Sequence, residues 1–223
     1  MKNKPLNIIF DFDGTLADSF STAMQKLSLL ANQFNFRKIN QNEIDGLKDL
    51  TSREVIKYLK IPFYRLPIVL REARECMCKE IPALPTFINF PEVLKELHMD
   101  CSLGILTSNS SENVVSWLKC HKIEHLFDFI HAESSYFGKK HILKKLIKSN
   151  KMKPFQTFYV GDETRDVDSA RKCNINSIAV SWGFNSEAAL VKNKPDYIAR
   201  TPSDILTIIK QHTLAHKNNI NTI

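Results

Sequence analysis

Nowhere does this chain approach the roughly 20 consecutive apolar residues that a bilayer-spanning helix requires, so no membrane partner is expected. Its start, MKNKPLNIIF, carries lysines but reaches Asp11 after a very short apolar stretch. A secretory h-region needs about 7 to 15 apolar residues, so a cytoplasmic location is expected. Cysteines are few and odd in number: Cys76, Cys78, Cys101, Cys120 and Cys173 are scattered, and the lone CxC has no second pair at zinc-site spacing. Reduced thiols explain this better than a disulfide framework or a metal site. His98, His121, His125, His131 and His141 show no metal-ligand spacing either. Acidic residues are outnumbered, leaving a net charge of +7. Many lysines, however, belong to amphipathic segments such as KKHILKKLIKSNK, where Ile142, Leu143, Leu146 and Ile147 form the apolar stripe. Solvated helix faces account for that charge, and no nucleic-acid partner is expected, although a basic surface still draws anions towards a site.

What is present is an apolar run that ends in paired carboxylates. Residues 8 to 18 read IIFDFDGTLAD. Alternate residues of a strand point the same way, so Asp11 and Asp13 serve one site where the strand ends. Gly14 lets the chain leave at an angle that a side chain would obstruct. Two carboxylates this close repel unless a cation or a shared proton intervenes. The feature therefore implies a hard ion with oxygen ligands, Mg²⁺ being the natural candidate.

With 223 residues the chain can bury the core of one large domain, or of one domain plus a smaller insert. After residue 85, short apolar runs alternate with amphipathic segments, the pattern of a parallel sheet covered by helices. Strands are expected at 6–11, 102–107, 127–131, 156–161 and 175–180, with a short sixth near 196–198. Helices are expected at 91–98, 110–121, 139–149, 164–173 and 202–214. Residues 16–85 break the alternation and read as helices only, at about 16–35, 41–48, 52–60 and 65–80. An all-helical insert directly after the first strand reads as a cap over the site at Asp11 and Asp13. The expected organisation is an α/β core over 1–15 and 86–214, a helical cap over 16–85 and a disordered tail over 215–223.

Three further features fall after strand ends, where ligands bind in open α/β sheets. Thr107 closes the strand of GILTSNSSEN just before a helix start, and a hydroxyl with free backbone N–H groups suits a phosphate. Ser, Thr and Asn are also ordinary helix caps. Lys139 and Lys140 follow Gly138 and open a helix, an unfavourable place for a cation that hints at a nearby anion. In GDETRDVDSARKC, Asp162 emerges from a strand and Asp166 lies about one helical turn later, whereas Asp168 and Arg171 face solvent.

In this order and at these strand ends, DFDGT, TSN, GK and GDETRD resemble the haloacid dehalogenase superfamily, and the resemblance covers nearly the whole chain. The stretches DSFSTAMQKL, ILTSNS, FGKKHIL, SWGFNS and PDYIARTPSDIL are similar to its phosphoglycolate phosphatase-like branch. The resemblance implies a Rossmann-like parallel core with an inserted all-helical cap, and a Mg²⁺-dependent hydrolase of a small phosphorylated metabolite. Asp11 would be the nucleophile that forms an aspartyl-phosphate, and Asp13 the acid–base. Thr107 and one lysine, Lys139 or Lys140, would hold the phosphoryl oxygens. Mg²⁺ would sit at Asp11, Asp13 through its backbone carbonyl, and Asp162. Asp166 would complete the metal site or orient the lysine. Gly14, Ser108, Asn109 and Arg53 would line the substrate site, with specificity on the cap around Asp18, Ser19 and Gly46–Arg53. Dehalogenases of the superfamily attack carbon and lack the second aspartate, so Asp13 argues for a phosphate ester. A phosphomutase of the β-phosphoglucomutase type and an inactive regulatory member are the alternatives, and a monomer or homodimer is expected.

Overall fold

The computed structural model describes residues 4–132 and 139–220. Six parallel strands form one sheet: β1 (Leu6–Phe10), β2 (Cys101–Thr107), β3 (Phe129–Ala132), β4 (Thr157–Gly161), β5 (Asn176–Val180) and β6 (Tyr197–Ala199). Their order is β3-β2-β1-β4-β5-β6, which puts β1 in the middle, flanked by β2 and β4. The strand order reverses at β1, with β2 and β3 on one side and β4 to β6 on the other, and the crevice at such a switch point is where α/β sheets bind ligands.

Ten helices accompany the sheet among the described residues: α1 (Phe20–Phe34), α2 (Ile44–Leu47), α3 (Ser52–Tyr58), α4 (Leu66–Cys78), α5 (Phe90–Asp100), α6 (Ser111–Cys120), α7 (Lys139–Ser149), α8 (Thr164–Lys172), α9 (Glu187–Lys192) and α10 (Pro202–Ile220). The apolar run of β1 is buried on both faces because helices cover both. Ile8 and Phe10 pack with residues of α5, α6 and α10, while Ile9 packs with Ile142, Leu143 and Leu146 of α7 and Ala170 of α8. Burying Ile8, Ile9 and Phe10 fully contributes about 1.5–3 kcal/mol each. Trp117, with no exposed surface, donates to the Leu84 carbonyl at 2.9 Å and packs edge-on against Phe12.

Helices α1 to α4 have a core of their own. Ile39, Leu47, Leu59, Ile61, Leu66 and Val69 pack together, apart from the sheet. Two crossings join this helical unit to the sheet, and they touch: Ala17 bridges Thr86, and the Asp18 N–H donates to the Pro85 carbonyl at 2.9 Å.

Four local expectations change. The first helix begins at Phe20 rather than residue 16, because Leu16 and Ala17 are drawn into the core of the sheet. Ile81 and Leu84 likewise pack against the sheet although they precede residue 86. Helix α9 was not anticipated; it is only six residues long, capped by Ser186 and anchored by Ala189 and Leu190. The tail expected from 215 to 223 is helical as far as Ile220. No glycine or proline follows Pro202 to stop α10, so its polar end continues the hydrogen-bonding pattern set by Ile205, Ile208 and Ile209.

Candidate active site

Strand β1 ends at Phe10, and Asp11 is the first residue beyond the ladder, its N–H still bonded to the Val160 carbonyl at 2.8 Å. Its side chain is buried: Oδ1 accepts from the Phe12 N–H at 2.8 Å, and Oδ2 accepts from Lys139 Nζ. Lys139 also donates to Asp166 Oδ1 at 2.8 Å. The lysine that opens α7 thus enters a pair of carboxylates instead of facing the unfavourable end of the helix dipole. Lys140 points elsewhere, lining a separate depression. Gly138 lies outside the described residues.

Asp166 is placed by its position in the first turn of α8, where Oδ2 accepts from the Glu163 N–H at 3.1 Å. Asp162, at the end of β4, is fully buried; Thr15 Oγ1 donates to its Oδ1 at 2.8 Å and the Phe184 N–H to its Oδ2 at 2.7 Å. Gly14 has φ +73°, and a Cβ there would lie 2.3 Å from Asp162 Oδ2 and 2.5 Å from the Phe184 ring. Glycine at this turn is therefore a condition for the acidic groups to converge.

Carboxylate oxygens of Asp11, Asp162 and Asp166 all lie within 4.8 Å of one another. Three buried carboxylates against one lysine leave an excess of negative charge that only protons or a cation can neutralise. Burial pushes the Asp11 carboxyl up to about 7, although Lys139 pulls the other way. Asp162 is held well above the ordinary carboxylate range, first by burial and then by Glu163. For Lys139, burial opposes the charge, but Asp11 and Asp166 outweigh it and hold the ammonium well above the usual lysine value. A hard divalent ion fits this donor set of close, all-oxygen, charge-deficient ligands.

Asp13 faces the same cavity as Asp11, but its carboxylate stands outside that acidic group. Oδ2 accepts from Asn109 Nδ2 at 3.1 Å, and burial raises the carboxyl above its ordinary value. The turn through Gly14 aims the Asp13 carboxylate towards the end of β2 and away from the three clustered carboxylates. Asn109 is held in turn by Asn113, whose Nδ2 donates to its Oδ1 at 2.9 Å. Thr107 is buried at the end of β2 with its Oγ1 accepting from the Asn109 N–H at 2.9 Å. Helix α6 then begins at Ser111 with Ser110 as its cap. Ser108 and Asn109 line the cavity that holds Asp11 and Asp13.

Arg53 does not line that cavity. It is exposed on α3 and borders the neighbouring depression with Lys140 and His141, because Val55 and Ile56 are the residues α3 turns towards the helical core. The helical residues that reach the cavity come from α1 and α4, among them Met24, Leu70 and Arg74. Segment 46–53 instead fastens the helices to the sheet. Asn185, 4% exposed, donates to the Lys48 and Leu50 carbonyls at 3.1 and 2.8 Å and accepts from the Thr164 N–H at 2.9 Å. Asp18 is exposed and Ser19 buried. Sequence reasoning missed Arg74 and Asn185. A signal existed for Arg74, which continues the i, i+4 series of Leu66 and Leu70 and so places a charge on an apolar stripe. For Asn185, in a loop without periodicity, there was none.

Residues 8–180 match the family model described as haloacid dehalogenase-like hydrolase. A phosphoglycolate phosphatase of Synechococcus elongatus is 33% identical over 205 residues, covering 92% of this chain and 97% of its own. A pyrophosphatase PpaX of Oceanobacillus iheyensis is 28% identical, covering 91% and 95%. Among solved structures, a predicted phosphatase from Clostridium acetobutylicum superposes with a TM-score of 0.78 at 20% identity, covering 92% of this chain and 99% of its own. A haloacid dehalogenase-like family protein from Streptococcus pneumoniae gives 0.76 at 24% identity, covering 91% and 97%. Both structures share the fold.

Proposed function

Because the chain belongs to the haloacid dehalogenase-like hydrolases, we propose that it hydrolyses a small phosphate monoester, 2-phosphoglycolate first among them, through an aspartyl-phosphate on Asp11. It is a phosphoric monoester hydrolase of the phosphoglycolate phosphatase-like kind. The observation that carries the mechanism is the buried Asp11, oriented by Phe12 and Lys139, with Asp13 two residues on in the same cavity.

In the first step an Asp11 oxygen attacks phosphorus and the bond to the ester oxygen breaks, while Asp13 delivers its proton to that oxygen. The raised pKa of Asp13 suits a proton donor, and such acid–base help is worth about 10²- to 10⁴-fold. In the second step Asp13, now ionised, takes a proton from water as the water oxygen attacks phosphorus. The bond to Asp11 breaks and inorganic phosphate leaves. Lys139 and the Thr107 hydroxyl hold the phosphoryl oxygens, and Asp166 keeps Lys139 aimed at Asp11. Asp11, Asp162 and the Asp13 backbone carbonyl would hold Mg²⁺, with Asp166 beside them; when bound it supplies the positive charge that offsets repulsion between Asp11 and a phosphate dianion. Helices α1–α4, residues 20–78, act as the cap that shields these steps from bulk water.

Phosphate release from a panel of monoesters tests the reading: turnover with Mg²⁺ and its loss on chelation are expected, and no release from any ester contradicts it. A second expectation concerns pH. The Asp11 carboxyl stands at about 7 in the fold against an ordinary value of 3.8. The metal-free fold then holds more protons than the unfolded chain between these values, so its stability falls as pH rises through that window. Mg²⁺ binds the ionised carboxylates and competes with protons within that window. At saturation about 100-fold above its Kd, Mg²⁺ should raise Tm by about 5–8 °C at pH 8. The rise should be markedly smaller at pH 5.5. Equal shifts at both pH values, read by scanning calorimetry, would count against carboxylate ligation.

A further inference from the structure

The cavity around Asp11 and Asp13 has two unlike halves. Towards the sheet it presents Asp11, Asp13, Ser108 and Asn109; towards the helices its wall is apolar, built from Met24, Leu27, Leu70, Met77 and their neighbours. Arg74 on α4 interrupts that apolar wall.

Arg74 is one of two arginines lining the cavity among the described residues, and they differ in their commitments. Arg165 is tied to Glu163, its Nη2 donating to Oε1 at 2.6 Å. Arg74 makes no ion pair among the described residues, while Arg71 on the same helix takes both Glu72 and Glu75. A half-buried guanidinium beside Leu70, Ala73 and Met77 loses hydration without a compensating anion. Nothing in the chemistry of phosphoryl transfer described above uses it. Its place across the cavity from the phosphate-handling groups is where the far end of a leaving group must lie.

We propose that Arg74 is the specificity-determining residue, and that it pairs with an anionic group at the far end of the leaving group, making the substrate the phosphate ester of a short hydroxy acid. The proposal rests on the phosphatase reading and deepens it. A guanidinium meets a carboxylate through two parallel N–H···O bonds, which fixes the orientation of the ester as well as its charge. A cavity of about 160 Å³ suits a leaving group of only a few heavy atoms. A sugar would bury several hydroxyls against Met24, Leu27 and Leu70, where no partner waits for them, and each such loss is unfavourable.

The test compares kcat/KM for 2-phosphoglycolate, for ethyl phosphate as its neutral counterpart, and for pyrophosphate, in wild type, Arg74→Gln and Arg74→Lys. Arg74→Gln should lower the value for 2-phosphoglycolate by about 30- to 100-fold, mainly through KM, as expected for one lost charge-assisted pair. Ethyl phosphate should change by no more than about 3-fold, and lysine should restore part of the loss because it keeps the charge but not the fork. Equal losses for 2-phosphoglycolate and ethyl phosphate, or no loss for either, overturn the proposal. A larger loss for pyrophosphate than for 2-phosphoglycolate assigns Arg74 to a second phosphate and overturns the hydroxy-acid assignment. Glycolate binding by calorimetry supplies a readout without turnover: it should weaken by a similar factor in Arg74→Gln. A wild type that binds glycolate through Arg74 yet releases phosphate from no ester overturns the phosphatase reading alone.

Discussion

Asp11→Asn will release phosphate from 2-phosphoglycolate at least about 10⁴-fold more slowly than wild type, with the protein still folded. The amide keeps the shape of the side chain and still accepts the Phe12 N–H through its carbonyl oxygen. What it loses is the anionic oxygen that attacks phosphorus. The same change removes one of three clustered buried carboxylates, two of which, Asp11 and Asp166, pair with Lys139. Stability above pH 7 should shift only modestly: the amide has no charge to desolvate but gives up the bond from Lys139, which keeps Asp166. Phosphate release by coupled assay and urea denaturation together check both halves. A fall in stability that parallels the fall in activity would show that Asp11 matters to the fold rather than the chemistry.

Lys139→Ala carries the second large effect, and it falls on stability and activity alike. Lys139 is 5% exposed and binds both Asp11 and Asp166. Removing it strands two buried carboxylates, and breaking a buried ion pair from one side costs about 3–5 kcal/mol. The loss should be greatest above pH 7, where Asp11 is ionised, and smaller near pH 5, where its raised pKa lets it carry a proton. Lys140→Ala is the comparison. Lys140 makes no ion pair among the described residues, lies outside the acidic cluster and lines the neighbouring depression, so its loss should alter stability by about 0.5 kcal/mol or less. Urea midpoints of both variants at pH 5 and pH 8 check the contrast. Equal effects of the two substitutions would contradict the place given to Lys139.

The fold was legible where burial imposes a period. Strand β1 reads plainly because Ile8, Ile9 and Phe10 are covered on both faces, which in a parallel sheet turns alternation into a continuous apolar run. The helices over 139–149 and 164–172 read plainly because each buries one stripe, as with Ile142, Leu143 and Leu146. Where tertiary contacts compete with local preference, legibility failed. Leu16 and Ala17 have helical spacing with Phe20, but the crossing at Thr86 claims them for the core of the sheet. Helix α9 is too short for its period to stand out from the loops around it.

The site shows the same division. Asp11, Asp13, Thr107, Asp162 and Asp166 follow strand ends, so a strand assignment carries them to one edge of the sheet before any contact is known. The choice between Lys139 and Lys140 turned on one residue of helical phase, about 100° of rotation. That phase is set by the packing of Ile142, Leu143 and Leu146. The helical wall of the cavity was the least legible part. Gly46–Arg53 looked like the segment over the site, yet Asn185 and Ser186 hold its backbone to the loop after β5, and α4 supplies the cavity wall instead. No local pattern encodes which face of an inserted helical unit meets the sheet.

The most direct test of the account is to look for phosphate on Asp11 itself. Enzyme mixed with ³²P-labelled 2-phosphoglycolate and Mg²⁺, quenched in acid during turnover and digested, should yield one labelled peptide containing Asp11. The label should be released by hydroxylamine, as an acyl phosphate is, and be absent from Asp11→Asn. Turnover without any protein-bound label in a rapid-quench series, or label on another residue, would contradict nucleophilic catalysis by Asp11.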